Sequence, residues 1–547
     1  MTRLEPAAAT LLVLLGCGLV LNHVAGDSAT SDEPVHIAAA VEIARQGTGR
    51  WNIEHPPLAK ALAGLALSGL PLSPAPSPFE DAAHPRLLLR FLFENLTPGE
   101  TVLFRARLPF ALLFAALLLA VRREARARFG TAAGLVALAF CALEPNLLAH
   151  AGVVHTDLLV TLCLVLSLRP LCELPLPERR GSLWWLGLAW GLALLSKYSA
   201  PLLILVTLPL LALEARGRGT LVARRLAASS GIALLVLLAG FALAYRHQSA
   251  ADREALARDR LLVRGRSPAA FETAVAVGRV LPPAGNFLTG TLAIVLQSRV
   301  GAGPTYFLGR VREGGSPAYF PVALAVKTSL GLALAVLLGT LAPAGRRLAL
   351  CVGAGLILFF ALSAGSAYNI GVRHALFAFP LAALLASAAS ARAGLVCLLL
   401  ALEAFETLSC HPHELSFFNA LAGGPQGGRR LLVDSNLDWG QDLARLAAEA
   451  PRLSAAPLPA VVFGGDLARR HPTLRPVAPG DEDRPGALLA MGETPLAIGP
   501  ELLAPKGNTR DAQRLADLRR ALLTRGRRVD EIGASIGIWR IESAPPR

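Results

Sequence analysis

Two short segments near the start of the chain combine carboxylates with histidines. Asp32, Glu33 and His36 lie in the first segment, Asp-Glu-Pro-Val-His. Glu54 and His55 lie in the second, Asn-Ile-Glu-His-Pro-Pro-Leu-Ala-Lys. A carboxylate in a partly apolar cavity can serve as a general base, because its surroundings tune its pKa. The alternative is a solvated loop whose aspartate caps the next helix, and spacing alone leaves both interpretations open.

Composition indicates a membrane protein. Apolar residues make up 53% of the 547 positions and gather into long blocks. A hydrocarbon core of roughly 30 Å requires about 20 apolar residues per helix, so these blocks predict membrane-spanning helices. The formal net charge of +14 comes from arginines spread over many short connectors, which reports topology and not nucleic-acid binding. The seven cysteines show no ligand spacing, so neither a disulfide framework nor a zinc site is predicted.

Short arginine-rich connectors, such as Arg122-Arg123 and Arg346-Arg347, predict which ends of the helices are cytoplasmic. With the N-terminus inside, about eleven helices are expected, two of which are short and meet near Ser196-Lys197-Tyr198. The predicted spans are 7–24, 103–121, 131–149, 157–175, the paired block 183–213, 226–245, 320–341, 348–364, 375–390 and 393–409.

Three stretches outside the membrane are long enough to carry chemistry. Residues 1–409 form the predicted transmembrane domain, with a first outer loop at 27–101 and a middle outer loop at 246–317. The tail, 410–547, changes to prolines, glycines, charged residues and short β-like runs. The expected fold class is therefore an α-helical polytopic membrane protein with a small extracytoplasmic α/β domain.

The two first-loop segments resemble the first lumenal loop of the protein O-mannosyltransferase family, in which Asp-Glu-x-x-His is followed by His-Pro-Pro-Leu-x-Lys. Other segments similar to bacterial members of that family are His155-Thr156-Asp157, Gly191 to Tyr198, Tyr319-Phe320-Pro321 with Lys327-Thr328, Tyr368 to His374, and Asp434 to Asp442. The chain departs from the eukaryotic members after the middle outer loop, where no β-trefoil-like insert is evident. Protein serine or threonine is therefore not favoured over other acceptors.

This resemblance implies the GT-C membrane fold and a glycosyltransferase that uses a polyprenyl-phosphate sugar. It implies that Asp32 is the catalytic carboxylate and that Glu33 supports it, with His36, Glu54 and His55 binding substrate in the same site. One carboxylate suffices for a single displacement with inversion, whereas a retaining route would require a second carboxylate as nucleophile.

A lipid phosphate at the membrane face requires cations, and Arg107, Lys197, Arg373 and His374 lie in family-like segments on the outer side. The planar fork of arginine can hold phosphate bidentately. The alternative is that these side chains snorkel to the interface as anchors. Because arginines can stabilise a departing monophosphate, no obligatory metal or other cofactor is predicted.

Two further segments have both a functional and a structural interpretation. His155 and Asp157, at the start of a span, are candidates to bind a metal or to position the acceptor, although Asp157 equally suits a helix cap. The stretch from Asp434 to Gly440 resembles the opening of a calcium loop, but an EF-hand requires glycine at its sixth position and glutamate at its twelfth. Here those positions hold tryptophan and arginine, so we expect a docking or acceptor-facing loop in which Asp438 binds substrate.

The expected partners are a polyprenyl-phosphate-linked sugar, a protein, lipid or glycan acceptor, and the bilayer, without nucleic acid. The excess of arginine over lysine indicates a bacterial protein, so the expected location is the bacterial cytoplasmic membrane, with the active site and tail outside. Two other functions remain open. A transporter or flippase for a lipid-linked saccharide would distribute charges through its spans with repeat symmetry, and a non-catalytic envelope scaffold would use the tail to bind a partner.

Overall fold

The apolar blocks of the sequence form helices. The computed structural model describes residues 5–76, 85–214, 217–301, 303–464, 471–504 and 509–543. In the first half of the chain the helices are α1 (Glu5–Gly26), α2 (Glu33–Gln46), α3 (Leu58–Leu67), α4 (Pro85–Phe93), α5 (Gly99–Phe129), α6 (Thr131–Leu143), α7 (Pro145–Ala151), α8 (Asp157–Glu173), α9 (Ser182–Ser196), α10 (Ala200–Glu214) and α11 (Gly219–Ala244).

The middle outer loop is also largely helical and leads into the remaining apolar helices. Its elements are α12 (Ala250–Ala257), a π-helical segment (Arg258–Arg264), α13 (Pro268–Val280), α14 (Pro282–Val300) and a hairpin of β1 (Thr305–Phe307) with β2 (Arg310–Arg312). The following helices are α15 (Tyr319–Lys327), α16 (Leu330–Leu341), α17 (Arg346–Ser363), α18 (Ala378–Ser387) and α19 (Ala393–Cys410), with a 3-10 helix at Val372–Ala375 between α17 and α18.

Length and apolar composition qualify five of these helices to cross a membrane: α1, α5, α11, α17 and α19. Two bent pairs also qualify when each is taken together, α6 with α7 at 64° and α15 with α16 at 105°. Shorter apolar helices are α3, α9, most of α10, and α18, and the predicted span at 157–175 is the 17-residue helix α8. The prediction of a multi-pass helical membrane protein is confirmed.

The predicted pair of short helices at 183–213 is confirmed as α9 and α10. Lys197 follows α9 in an extended conformation, with φ −151° and ψ 136°, which ends the helix before α10 begins. Both bent pairs meet at one place, because the Asn146 side chain in α7 donates a hydrogen bond of 2.7 Å to the carbonyl of Lys327 at the end of α15. Interrupted helices therefore position polar residues between apolar segments.

The first outer loop contains helices packed against one another. The Pro-Pro of its second segment immediately precedes α3, since proline has the backbone angle of a first helical turn and lacks the N–H that would otherwise be unsatisfied. At Gly64 in α3, a Cβ would lie 2.4 Å from the Ala40 carbonyl of α2. This close contact fixes the position of α2, and with it the residues at its N-terminal end.

The tail contains the predicted α/β unit. Its elements are α20 (Gly424–Gly428), α21 (Leu443–Leu453), β3 (Leu458–Val461), β4 (Leu474–Pro476), β5 (Leu488–Gly492), α22 (Glu493–Leu503), α23 (Thr509–Arg525), β6 (Gly526–Ile532) and β7 (Ile536–Ile541). The sheet order is β4-β3-β5-β7-β6, with β3 parallel to β4 and β5, and β7 antiparallel to β5 and β6. Leu446 of α21 joins the apolar cluster that holds Ala490 of β5, and Leu522 of α23 joins the one that holds Met491, the next residue of the same strand. Because neighbouring residues of a strand point to opposite faces, the two helices cover the two faces of the sheet.

The segment between α19 and α21 packs on the membrane part of the chain. The buried Lys327 ammonium donates hydrogen bonds to the carbonyls of Leu415, at 2.9 Å, and Asn436, at 2.7 Å. The Asn419 amide donates to the Ala325 carbonyl at 2.7 Å. Residues just before the α/β unit are therefore held against the ends of the apolar helices.

Candidate active site

Asp32 lies at the N-terminal end of α2, where it meets residues from distant parts of the chain. Its Oδ2 accepts a hydrogen bond of 3.2 Å from Nη1 of Arg373 and lies 3.6 Å from Nε2 of His155. Its side chain retains 34% of its exposure, whereas those of Arg373 and His155 retain 4% each. Asp32 is therefore the accessible carboxylate of this cluster.

The surroundings of Asp32 favour its ionised form. Burial by itself raises the pKa of a carboxyl group. Here the contact with His155 and the positive charge of Arg373 outweigh burial, and they hold the pKa of Asp32 well below its ordinary value. At neutral pH the group is a carboxylate, which can accept a proton but cannot donate one.

Asp157 and Lys197 form a buried ion pair on the other side of His155. Asp157 begins α8, and its two oxygens are divided between Lys197 and His155, whose Nδ1 lies 2.6 Å from Oδ2. Lys197 reaches this carboxylate from the break between α9 and α10, and its Nζ is also 3.4 Å from Nδ1 of His374. The break between the paired helices thus places the Lys197 side chain beside Asp157 and His374.

Arg373 is held by the 3-10 helix at Val372–Ala375 and by the segment before the α/β unit. The Val372 amide donates to the Asn436 side chain at 2.9 Å, and the guanidinium carbon lies 4.3 Å from the centre of the Trp439 ring. One guanidinium nitrogen, Nε, is buried without a hydrogen-bond partner in the part of the chain that the structure describes. At least one N–H group of Arg373 is therefore not used by the described residues.

Three imidazoles, those of His36, His55 and His155, meet beside Asp32. Asp32 and His36 are four residues apart in the sequence, and helical geometry puts such residues on one face. The ring centres are 4.9 Å apart for His36 and His55, 5.0 Å for His36 and His155, and 5.3 Å for His55 and His155. Nitrogen atoms in such a cluster are suited to bind a metal ion or an anion.

Glu33 and Arg107 pair with each other and lie away from the exposed side of the site. Arg107 donates to Glu33 through Nε, at 2.7 Å, and Nη2, at 2.6 Å, and its other N–H groups reach the carbonyls of Val24, Asp27 and Ser28. These contacts occupy every donor direction of the guanidinium. This geometry leaves the Arg107 guanidinium without a donor for the lipid phosphate that it was predicted to bind, and it pairs the Glu33 carboxylate with Arg107.

Glu54 and Asp438, both predicted to bind substrate, are bonded to protein groups in the structure. Glu54 forms an ion pair with Arg260 of the π-helical segment, and this pair joins the first outer loop to the middle one. Asp438 is buried, and its Oδ2 accepts a hydrogen bond of 3.0 Å from the Thr494 amide at the start of α22. Both carboxylates connect parts of the fold, because their oxygens are directed to protein partners.

The contribution of Trp439 was not evident from the sequence. Its ring covers Arg373 and lies 5.6 Å from His155 and 6.3 Å from His150. The signal was a tryptophan between Asp438 and Gly440 in a family-like polar segment.

Seven of the residues that were predicted to form the site meet in the structure. They are Asp32, His36, His55, Asp157, Lys197, Arg373 and His374.

Residues 90–243 match a family model described as dolichyl-phosphate-mannose-protein mannosyltransferase. Two structures of ArnT from Cupriavidus metallidurans, one bound to undecaprenyl phosphate and one in the apo state, are similar over 97% of this chain and 97% of their own, each with a TM-score of 0.34 and with 15% and 16% identity. The apo oligosaccharyltransferase of Archaeoglobus fulgidus is similar over 71% of this chain and 50% of its own, with 13% identity and a TM-score of 0.43. No curated protein sequence matches the chain. The match over residues 90–243 confirms, for that part of the chain, the resemblance to the O-mannosyltransferase family that the motifs indicate.

Proposed function

We propose that this protein is a membrane glycosyltransferase that transfers a hexose from a polyprenyl-phosphate donor to an acceptor hydroxyl at the extracytoplasmic face, with inversion. The observation that carries the proposal is the accessible carboxylate of Asp32 beside the buried guanidinium of Arg373. A base and a phosphate-binding cation are the two groups that this reaction requires next to each other. The family match and the apolar helices support the same class of reaction.

The cations at the site would receive the donor phosphate. Nε–H of Arg373 has no partner among the described residues. Asp157 connects this guanidinium, at 4.0 Å, with Lys197, whose Nζ lies 3.4 Å from Nδ1 of His374. A phosphate that takes hydrogen bonds from Arg373 would compete with Asp32 for the guanidinium. The carboxylate would then be released to the acceptor while negative charge grows on the departing phosphate, where fixed cations stabilise it.

Among Asp32, Glu33 and Asp157, Asp32 is the carboxylate that keeps a third of its exposure, which is the reason for proposing inversion. Glu33 is fully buried and bonded to Arg107, and Asp157 is bonded to Lys197. Each therefore lacks the freedom that a nucleophile attacking the sugar would require. Asp32 would take the proton from the acceptor hydroxyl. The hydroxyl oxygen of the acceptor attacks the anomeric carbon at the same time, and the bond from that carbon to the donor phosphate breaks.

Release of free polyprenyl phosphate tests the proposal. We would supply purified protein with a panel of polyprenyl-phosphate hexoses, with and without a crude envelope acceptor, and compare the wild type with Asp32→Asn. Glu100→Gln is the matched control, because it neutralises an exposed carboxylate at the start of α5.

The wild type and the control should release polyprenyl phosphate in the presence of acceptor. Asp32→Asn should lose this release while it still binds the donor like the wild type. Equal release by Asp32→Asn would refute the assignment of the base. Donor binding without release by any form would instead support a flippase or a scaffold. A product that retains the anomeric configuration of the donor would refute single displacement.

A further inference from the structure

The three histidines beside Asp32 come from separate parts of the chain. His36 belongs to α2, His55 precedes α3, and His155 precedes α8. One ring nitrogen of each lies within 4.8 Å of the others. Imidazoles from three segments of the chain therefore meet in one place. The packing of apolar helices does not by itself require three histidines to meet.

His36 has an unsatisfied ring. It is completely buried, and neither Nδ1 nor Nε2 has a hydrogen-bond partner within the described ranges. A buried polar atom without a partner is costly, and native structures rarely leave one so. A ligand bound by this ring would remove that cost.

Each of the other two rings has a side-chain oxygen close to its Nδ1. Nδ1 of His55 is 2.8 Å from the Asn52 side-chain oxygen, and Nδ1 of His155 is 2.6 Å from Asp157 Oδ2. Metal-binding histidines commonly donate one ring N–H to a carboxylate or carbonyl, which turns the other nitrogen toward the ion.

We propose that His36, His55 and His155 bind one divalent transition-metal ion of the zinc type. Three imidazoles with a fourth position open to an oxygen ligand form a donor set that zinc accepts. Asp32 lies at the edge of the cluster, 3.6 Å from His155 Nε2, so the open position would be close to the proposed base. This proposal replaces the expectation that no metal takes part, and it stands independently of the glycosyltransferase proposal.

Metal binding would require a small contraction of the cluster. Nitrogen atoms bound tetrahedrally at 2.0–2.1 Å are about 3.3 Å apart, and the ring nitrogens here lie within 4.8 Å of one another. Their separations would therefore have to shorten by at most about 1.5 Å. The hydrogen bond of 2.7 Å between Arg373 Nη1 and His155 Nε2 would also be exchanged for the metal. Arg373 would keep its contact with Asp32, and the carboxylates of Asp32 and Asp157 would offset the charge of the ion.

Cobalt binding tests the site without reference to turnover. Full-length protein, purified with a tag that lacks histidine and treated with a chelator, is titrated with Co²⁺ while the visible absorption of four-coordinate cobalt is recorded. The variants are His36→Ala and the control His247→Ala, which removes an exposed histidine of the middle outer loop. X-ray absorption of the zinc-loaded wild type gives the ligand shell directly.

We expect the wild type and His247→Ala to bind a single Co²⁺ per chain with a four-coordinate spectrum, and His36→Ala to lose it. The zinc shell of the wild type should contain three imidazoles. No stoichiometric binding by the wild type, or equal binding by His36→Ala, would overturn the proposal. A zinc shell with sulfur, or with fewer imidazoles, would overturn it even if His36→Ala does not fold.

Discussion

Replacing Arg107 with methionine should destabilise the protein strongly, because it removes one member of a buried ion pair. Glu33 would keep the hydrogen bonds that it accepts from the backbone N–H groups of Thr30 and Val154, but it would lose the positive charge of Arg107. Removing one partner of such a pair costs about 3–5 kcal/mol. Methionine is also long and flexible, so the loss would report charge and hydrogen bonds more than empty volume.

Unfolding of the purified protein by denaturant, followed by circular dichroism, measures this loss. Wild type, Arg107→Met, Glu33→Gln and the double variant form a thermodynamic cycle, and the double variant should lose less than the sum of the two single losses. The reasoning is refuted if Arg107→Met unfolds like the wild type but no longer binds the lipid-phosphate donor. That result would mean that the guanidinium is free to bind phosphate.

Three other predictions concern the supports of the site. Glu54→Gln and Arg260→Gln should show a coupling of about 0.2–1 kcal/mol in a double-mutant cycle of unfolding, since both partners are partly exposed, and zero coupling would contradict their pairing. Burial raises the pKa of Asp438 to about 8, so the folded state holds its proton more tightly than the unfolded state and stability should fall as the pH rises from about 5 to 8. Asp438→Asn should flatten this part of the pH dependence of Tm. An unchanged slope would contradict the assignment of this pH dependence to Asp438. Gly191→Val should cost about 1–3 kcal/mol or more by separating α9 from α11, since a Cβ there would lie 2.5 Å from a valine Cβ of α11. Gly231→Val, where no atom lies within 4 Å of an added Cβ, is the control, and equal losses at both positions would exclude the packing explanation.

The membrane helices were predictable because the hydropathy of a segment is a local property. The break at Lys197 was also predictable from local sequence. Basic residues on both flanks of the 183–213 block require the chain to enter and leave the membrane on one side, so the block must contain two helices. The helices inside the outer loops were less evident, because α2 and α3 owe their positions to contacts such as the one at Gly64. Trp439 was missed for a similar reason: its neighbours Arg373 and His155 are distant in sequence.

The sequence by itself determined the class of protein, the positions of most helices and the group of polar segments from which a site could be built. The tertiary structure decided which charged groups in those segments remain available for chemistry. Asp32 and Glu33 are adjacent, but successive residues at a helix start point about 100° apart, so one carboxylate faces the site and the other faces Arg107. Arg107 and Arg373 are both buried arginines, yet the first uses all its donors within the fold, whereas Nε of the second has no partner among the described residues. Such differences depend on contacts between residues far apart in the chain, up to 341 positions for Asp32 and Arg373, which no local pattern specifies.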